Sequence, residues 1–208
     1  MNIAMIWGAG GDIGRSIKDY LLRKGWNVVA LGRHLTQLQG ATWAFEADFA
    51  RPAEVREAVY QASQEIDGVN WWIYAAGDIL YSPIAEMQPE AWQRIIDANL
   101  TGAFLALHYS LPLLSPAAPL YFIGARSERL RLPGISAYAA AKAGLEALAE
   151  VARKELHRQV VVVRPGAVRT TFWERVPFKT PANAISPEDL ADKIWRAYQQ
   201  GYEGILDL

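Results

Sequence analysis

Hydrophobic residues along this chain fall into short runs, each bounded by glycine or by polar residues. The runs cover residues 3–7, 27–31, 43–47, 71–75, 120–123, 160–163 and 204–206. Continuous apolar runs of this length are typical of strands that are buried on both faces of a sheet. The pattern therefore predicts about seven buried strands.

Between most of these runs, apolar and polar residues alternate with the period of an α-helix. The predicted helices cover residues 13–24, 52–65, 89–111, 136–157 and 187–200. Several begin with proline or serine, which are favoured at helix starts. Strands that alternate with helices form parallel sheets, because parallel strands need crossover connections. We therefore expect an α/β fold: a doubly wound, Rossmann-type parallel sheet of about seven strands, with helices on both faces. The length of 208 residues suits a single domain that spans residues 1–208.

Composition narrows the classes of function. The net charge of −1 gives no electrostatic support to a nucleic-acid partner or an anionic membrane. The chain has no cysteine, and its three histidines are scattered, so we predict no metal site. The first residues form an apolar strand-like run without a basic leader or a membrane-length apolar stretch. These features lead us to expect a cytoplasmic protein.

A glycine-rich segment, WGAGGDIG at residues 7–14, joins the first predicted strand to the first helix. Glycines at positions 8, 10 and 14 let the backbone turn tightly and approach a pyrophosphate, whose charge is favoured by a helix N-terminus. The alternative interpretation is a glycine-rich turn that binds nothing.

This segment resembles the TGxxxGxG loop of short-chain dehydrogenases. Gly8 and Gly14 match the family pattern, whereas Trp7 and Asp12 replace its threonine and one glycine. An aspartate at a helix start can accept hydrogen bonds from exposed backbone amides, so we expect Asp12 to cap the helix and fix the loop. The resemblance implies a nicotinamide dinucleotide as cofactor. The residues expected to bind it in this loop are Gly8, Gly10, Asp12, Ile13 and Gly14.

The residue after the second strand indicates which dinucleotide binds. An acidic residue there would accept hydrogen bonds from a free ribose 2′-hydroxyl, but this chain has Gly32 followed by Arg33. A guanidinium can hold a 2′-phosphate bidentately, so NADP is favoured over NAD. His34 is a weaker candidate for the same role. The alternative is that Arg33 lies on a solvated surface.

Three further segments resemble the family's cofactor contacts. Asp48 and Phe49 follow the third strand, where an aspartate contacts the adenine, although a lone aspartate after a strand is also a common turn former. Tyr74-Ala75-Ala76-Gly77 stands where the family has NNAG and keeps its small residues without its asparagines. A segment like the family's PGxVxT stretch implies contacts to the nicotinamide carboxamide from Pro165, Gly166, Val168 and Thr170.

The segment Tyr138-Ala139-Ala140-Ala141-Lys142 resembles the YxxxK motif of the family. Residues four apart share one helix face, so the phenol and the ammonium can address one site. The resemblance implies that Tyr138 exchanges a proton with the substrate, and that Lys142 lowers the pKa of Tyr138 and holds the nicotinamide ribose. Asn99 matches the helix asparagine that supports a proton-relay water. Taken alone, Tyr138 and Lys142 could also be an ordinary exposed pair.

The family places a serine thirteen residues before the tyrosine, where this chain has Ala125. Losing a hydrogen-bond donor to a developing oxyanion costs on the order of 10²–10³ in rate. Ser127 could supply the hydroxyl if the loop is shaped differently, and Arg126 could polarise the substrate oxygen directly. We list Ser127 with Tyr138, Lys142 and Asn99 as candidate catalytic residues.

An aromatic segment at residues 171–178 stands where the family carries its substrate-covering loop. It favours an apolar substrate, although these aromatics could equally pack against the domain or a neighbouring subunit. The helices that carry Asn99 and Tyr138 are the usual pairing surfaces of the family, so we expect a homodimer or homotetramer.

The sequence supports an NADP-dependent oxidoreductase that exchanges hydride between nicotinamide and a small carbonyl or alcohol. Ala125 and the lost asparagines motivate a second hypothesis, a dinucleotide-binding regulatory or scaffold protein with weak or lost catalysis. A lyase or epimerase would also use the tyrosine and the lysine, but the residues after the last helix are too few for a sugar-nucleotide domain.

Overall fold

The computed structural model describes residues 1–126 and 130–208, and these residues form a parallel sheet of seven strands. In chain order the strands are β1 (Ile3–Trp7), β2 (Asn27–Gly32), β3 (Trp43–Glu46), β4 (Trp71–Tyr74), β5 (Leu120–Ile123), β6 (Val160–Arg164) and β7 (Gly204–Asp207). Their spatial order is β3-β2-β1-β4-β5-β6-β7. The predicted doubly wound sheet is confirmed, and each predicted run matches one strand to within a residue or two.

Helices form the connections between the strands. The α-helices of the described residues are α1 (Asp12–Arg23), α2 (Pro52–Glu65), α3 (Pro89–Ile96), α4 (Gly102–Ser110), α5 (Ser136–Leu156) and α6 (Pro187–Gln199). Helix α6 begins with a capping box in which Ser186 and Asp189 satisfy each other's backbone amides. No helix within residues 1–126 and 130–208 is both long and apolar enough to span a membrane.

Two apolar layers cover the two faces of the sheet. Successive side chains of a strand point to opposite faces, so Met5 and Trp7 join one layer while Ala4 and Ile6 join the other. Residues of α2, α4 and α5 complete the first layer, and residues of α1 and α6 complete the second. This burial on both faces explains why the strands are continuous apolar runs rather than alternating ones.

The predicted helix over residues 89–111 is interrupted in the structure. Between α3 and α4 lies a π-helical turn, Asp97–Thr101, followed after α4 by a short 3-10 turn, Leu111–Leu113. Asn99 lies in this turn, and its side-chain amide donates a buried hydrogen bond of 2.8 Å to the carbonyl of Ile95. π turns are frequent at functional sites. Here the turn holds Asn99 fully buried.

The strand order reverses between β1 and β4, since β2 and β3 lie on one side of β1 and β4 to β7 lie on the other. In a doubly wound sheet, the loops at the carboxyl ends of the strands diverge at this point and leave a crevice. The crevice lies between the loop after β1 and the loop after β4.

Candidate active site

A cleft of about 1600 Å³ follows the carboxyl ends of the strands. It extends from the glycine loop and Arg33 at one end to Tyr138 and the aromatic segment after β6 at the other. All the sequence-predicted site residues that the structure describes, except Gly14, line it. The cleft brings together Gly8, Gly10, Asp12, Ile13, Arg33, Asp48, Phe49, Ala75, Ala76, Gly77, Asn99, Tyr138, Lys142, Pro165, Gly166, Val168 and Thr170.

The glycine loop after β1 lies too close to neighbouring backbone for side chains at two positions. Gly8 has a φ of +84°, and a Cβ there would lie 2.5 Å from the backbone nitrogen of Ala76. A Cβ on Gly14 would lie 2.1 Å from the carbonyl oxygen of Gly8. Glycine is therefore required at both positions, and the loop presents bare backbone to the cleft at the start of α1.

The prediction that Asp12 caps helix α1 is wrong. The N-cap is Gly11, which has no side-chain cap, and Asp12 is the first residue of the helix. The Asp12 carboxylate instead accepts hydrogen bonds from the backbone amide of Thr171 at 2.7 Å and from its hydroxyl at 2.8 Å. It also pairs with Arg15. Asp12 therefore ties the start of α1 to the segment after β6, because it lies one residue past the N-cap, the position from which a side chain caps the first amides.

Arg33 lies exposed immediately after β2, at the end of the cleft where the adenosine of a dinucleotide would lie. Within residues 1–126 and 130–208 its guanidinium has no hydrogen bond or ion pair. It is therefore available to an anionic group of a ligand.

The two candidates after β3 have structural roles in addition to their place on the cleft wall. Asp48 accepts a hydrogen bond from the backbone amide of Ala50 at 3.0 Å, which is the local turn expected of an aspartate after a strand. Phe49 is buried and packs edge-on against Trp7, with ring centroids 5.2 Å apart.

Tyr138 and Lys142 lie one turn apart on α5, and both are buried. The Lys142 ammonium donates to the carbonyl of Ile123 at 2.9 Å and lies 5.7 Å from the centre of the Tyr138 ring. Burial lowers the pKa of Lys142 to about 8 and raises the pKa of Tyr138 above its ordinary value. Desolvation sets the direction of the Tyr138 shift in this structure, and the lowering of its pKa by Lys142 beside a bound cofactor stays a prediction.

Asn99 is fully buried, with its side chain held from two sides. Its amide nitrogen donates to the carbonyl oxygens of Asp78, at 2.7 Å, and Ile95. Its side-chain oxygen has no hydrogen-bond partner among the described residues. A Cβ built on Gly77 would lie 2.8 Å from this oxygen and 3.7 Å from the Lys142 ammonium. The two groups thus face the same small space, where a buried polar atom without a partner favours a water or a ligand hydroxyl.

The loop after β5 carries no hydroxyl at the family's serine position. Ala125 lines the cleft there. Arg126 also lines the cleft, donates to the carbonyl of Leu208 at 3.3 Å and lies 3.9 Å from the Asp207 carboxylate at the end of β7. Ser127, the predicted substitute, lies outside the described residues.

The chain after β6 leads into the predicted substrate-covering segment. Residues Thr171–Arg175 form a short 3-10 turn. The Phe172 ring centroid lies 5.6 Å from that of Tyr138, and the Trp173 indole nitrogen donates to the carbonyl of Val168 at 2.8 Å. The aromatics therefore pack on the domain and at the same time form a wall of the cleft beside Tyr138.

The sequence did not single out three charged residues of this site, Asp78, Arg94 and Arg175. Asp78, immediately after Gly77, is buried, and its carboxylate pairs with Arg175 at 2.5 Å and with Arg94 at 2.6 Å. Asp78 and Arg175 are 97 positions apart. Only the position of Asp78 next to the predicted cofactor-binding turn could have suggested a role, because no local pattern pairs it with arginines.

Comparisons with known proteins show the family to which the chain belongs. The family model described as short chain dehydrogenase matches residues 2–179. An uncharacterized oxidoreductase of Staphylococcus aureus is 28% identical over 211 residues, covering 95% of this chain and 91% of the relative. A similar oxidoreductase of Staphylococcus saprophyticus is 26% identical over 218 residues, with the same coverage.

Solved structures show the same fold. An alcohol dehydrogenase from Thermococcus sibiricus, complexed with 5-hydroxy-NADP, superposes with a TM-score of 0.90 at 22% identity, covering all of this chain and 96% of that one. A 3-ketoacyl-ACP reductase from Sinorhizobium meliloti 1021 superposes with a TM-score of 0.84 at 28% identity, covering 99% and 97%. With its family-model match over residues 2–179, this chain belongs to the short-chain dehydrogenase family.

Proposed function

We propose that this protein is an NADP-dependent oxidoreductase that transfers hydride between nicotinamide and a small, apolar carbonyl or alcohol. The observation that carries the proposal is the meeting of Tyr138, Lys142 and Asn99 in one cleft with a glycine-lined backbone cradle. The family membership makes an oxidoreductase the expected class.

The residues present fit a dinucleotide. The cradle at Gly8 and Gly14 has no room for side chains, and the N-terminus of α1 favours the charge of a pyrophosphate. Exposed Arg33 would hold a ribose 2′-phosphate, which supports NADP over NAD. Asp48 at the adenine end, and Val168 and Thr170 at the nicotinamide end, would complete the contacts. When bound, the reduced cofactor supplies the hydride.

Proton transfer is assigned to Tyr138. Burial keeps its phenol protonated at neutral pH, which is the form that donates a proton to a carbonyl oxygen. Lys142 would turn its ammonium to the ribose and the phenol, and the buried oxygen of Asn99 would accept a hydrogen bond from a water that delivers the next proton.

The substrate oxygen needs a second donor beside Tyr138, and Ser127 is the residue we assign to it. Ala125 removes the hydroxyl from its usual position but leaves the cofactor cradle unchanged. The substitution therefore bears on the rate of reaction rather than on cofactor binding, so we favour an enzyme over a binding protein without chemistry.

The wall of the cleft around Tyr138 supports an apolar substrate. It includes the aromatic rings of Phe172 and Trp173 together with Ile79 and Leu130. Burying such surface against a small apolar molecule stabilises binding by about 25 cal/mol per Å².

The exposed apolar residues on the helices around the site support a homodimer or homotetramer. Trp92 on α3, Phe104 on α4 and Val151 on α5 are 37%, 50% and 49% exposed. Pairing of two copies through these helices would remove this apolar surface from water.

Measuring NADPH oxidation with a panel of small aldehydes and ketones tests the proposed function. We expect turnover in the unmodified protein and a loss of at least about 100-fold in Tyr138→Phe, with NADPH affinity changed by less than about three-fold. Tyr60→Phe, on the exposed face of α2, is the matched control and should behave as the parent. Equal turnover in Tyr138→Phe and the parent would contradict the assignment, and so would the absence of turnover across the panel.

A further inference from the structure

The Asp78 carboxylate is buried, although both of its partners are half exposed. Its side chain is 4% exposed, whereas those of Arg94 and Arg175 are 53% and 54% exposed. One carboxylate oxygen accepts from Arg175 and from the backbone amide of Ile79, and the other accepts from Arg94. A charge this buried is retained in a fold only where donors satisfy it, so the two arginines are held towards the interior.

The backbone of Asp78 makes a separate contact with the proton-relay candidate. Its carbonyl oxygen accepts a hydrogen bond of 2.7 Å from the buried side-chain amide of Asn99. One residue therefore contacts Asn99 through its backbone and Arg175 through its side chain. The positions of the relay turn and of the segment after β6 are coupled through Asp78.

The segment Thr171–Arg175 is anchored at both of its ends by carboxylates from other loops. At its start, Thr171 donates two hydrogen bonds to Asp12 of the glycine loop. At its end, Arg175 pairs with Asp78 of the loop after β4. Between the two anchors, Phe172 lies against Tyr138. Of these two anchors, the second lies on the substrate side of the cleft, beside the contact of Phe172 with Tyr138.

We propose that Asp78 is a positioning residue. Through Arg175 it fixes the aromatic wall of the substrate site relative to Asn99, which its backbone carbonyl contacts. This role rests on the proposed oxidoreductase function. It goes beyond that function because Asp78 and Arg175 set the affinity for substrate without touching the reacting atoms. Losing the Arg175 contact would release the Arg175 end of the segment and loosen the aromatic wall from that end. The Thr171 end, with Phe172 beside it, would remain attached through Asp12.

Arg94 provides a matched control. It pairs with the same carboxylate at almost the same distance and has almost the same exposure, but it lies on α3 rather than on the substrate segment. Arg94→Met and Arg175→Met remove the same charge from the same partner. A purely electrostatic or stabilising role of the cluster would therefore affect both variants alike.

The experiment measures three quantities in Arg175→Met, Arg175→Lys and Arg94→Met. These are the KM and kcat for the carbonyl substrate at saturating NADPH, the Kd for NADPH, and the hydrogen-exchange rate of peptides covering residues 169–178. We expect Arg175→Met to raise KM on the order of 10-fold with a smaller change in kcat, unchanged NADPH affinity and faster exchange in the segment. Arg175→Lys, which keeps the positive charge, should raise KM less than Arg175→Met does. Arg94→Met should change KM by less than about three-fold.

Equal effects of Arg94→Met and Arg175→Met on KM and on exchange would overturn the proposal, as would unchanged exchange in Arg175→Met. Exchange is measured without turnover, so it tests the anchor even if the unmodified protein reduces no carbonyl. In that case the proposed function fails, whereas the coupling of Arg175 to the segment is still decided by the exchange comparison.

Discussion

Trp7 and Tyr74 lie directly opposite each other on the neighbouring strands β1 and β4. These are the positions where the family pattern has a threonine and an asparagine. Both aromatics are fully buried, and both pack against Phe49, with ring centroids 5.2 Å and 6.3 Å from it. The two departures from the family pattern therefore lie in one aromatic cluster with Phe49.

The Tyr74 hydroxyl has a further role in this cluster. It donates to the carbonyl of Ala98 at 2.9 Å, inside the π turn that carries Asn99. A Cβ on Gly102 would lie 2.6 Å from this hydroxyl, so glycine there gives the phenol room to reach the turn. Tyr74 thus connects strand β4 to the π turn through this hydrogen bond.

Removing this hydroxyl should destabilise the fold. In Tyr74→Phe the half-buried Ala98 carbonyl loses the hydrogen bond from the Tyr74 hydroxyl, and we expect the free energy of unfolding to fall by about 1–2 kcal/mol in urea denaturation. Tyr121→Phe is the control, because Tyr121 is equally buried on β5 and its hydroxyl has no hydrogen-bond partner among the described residues. A loss in Tyr121→Phe as large as that in Tyr74→Phe would contradict this interpretation of Tyr74.

Lys142 should make stability depend on pH. Burial lowers its pKa to about 8 from an ordinary value near 10.5, so above about pH 8 the native state binds fewer protons at this lysine than the unfolded chain does. The free energy of unfolding should therefore rise, by about 1 kcal/mol between about pH 7 and about pH 9. The buried tyrosines, whose pKa values burial raises, oppose this gain only above about pH 10.

Urea denaturation at the two pH values, repeated on Lys142→Met, isolates this effect. The rise in the free energy of unfolding between the two pH values should disappear in Lys142→Met. It should persist in Lys154→Met, which changes an exposed lysine on the same helix. The same pH dependence in the parent and in Lys142→Met would show that other groups cause it.

Arg33 should determine the preference for NADP. Arg33→Met removes the cation expected to hold the 2′-phosphate, so we expect NADPH affinity to fall on the order of 10- to 100-fold while NADH affinity changes little. Titrating the protein with NADPH and with NADH, and monitoring the fluorescence of each cofactor, measures the two affinities. Arg56→Met, on the exposed face of α2, keeps the net charge of the variant and should leave both affinities unchanged. Equal weakening of NADPH and NADH binding would contradict a contact to the 2′-phosphate.

The position of the substrate-binding hydroxyl can be tested by moving it along the loop. If Ser127 supplies it, Ser127→Ala should lower kcat on the order of 10²-fold. Adding Ala125→Ser to Ser127→Ala returns a hydroxyl to the usual family position and should restore much of the turnover. Steady-state kinetics at saturating NADPH measures both changes.

Unchanged kcat in Ser127→Ala would remove Ser127 from the site. If Ser127→Ala leaves kcat unchanged and Ala125→Ser alone increases it, the unmodified protein works without a second hydroxyl donor to the substrate oxygen.

The sequence predicted most of the fold and of the cofactor cleft, because the features involved are local. Strand runs such as residues 160–163 follow from burial on both faces of the sheet, and Gly8 and Gly14 follow from a tight turn between a strand and a helix. Tyr138 and Lys142 share a helix face because they are four residues apart. Each of these relations spans only a few residues, so the amino-acid order alone determined them.

Only the tertiary structure decided which charged groups meet. Asp12 binds Thr171 across 159 positions, and Asp78 binds Arg175 across 97, because the parallel sheet gathers the loops at its carboxyl ends. The same packing excludes water from Tyr138 and Lys142 and so shifts both pKa values towards the neutral forms. Burial and long-range pairing depend on how every layer packs, which no short segment of the sequence specifies.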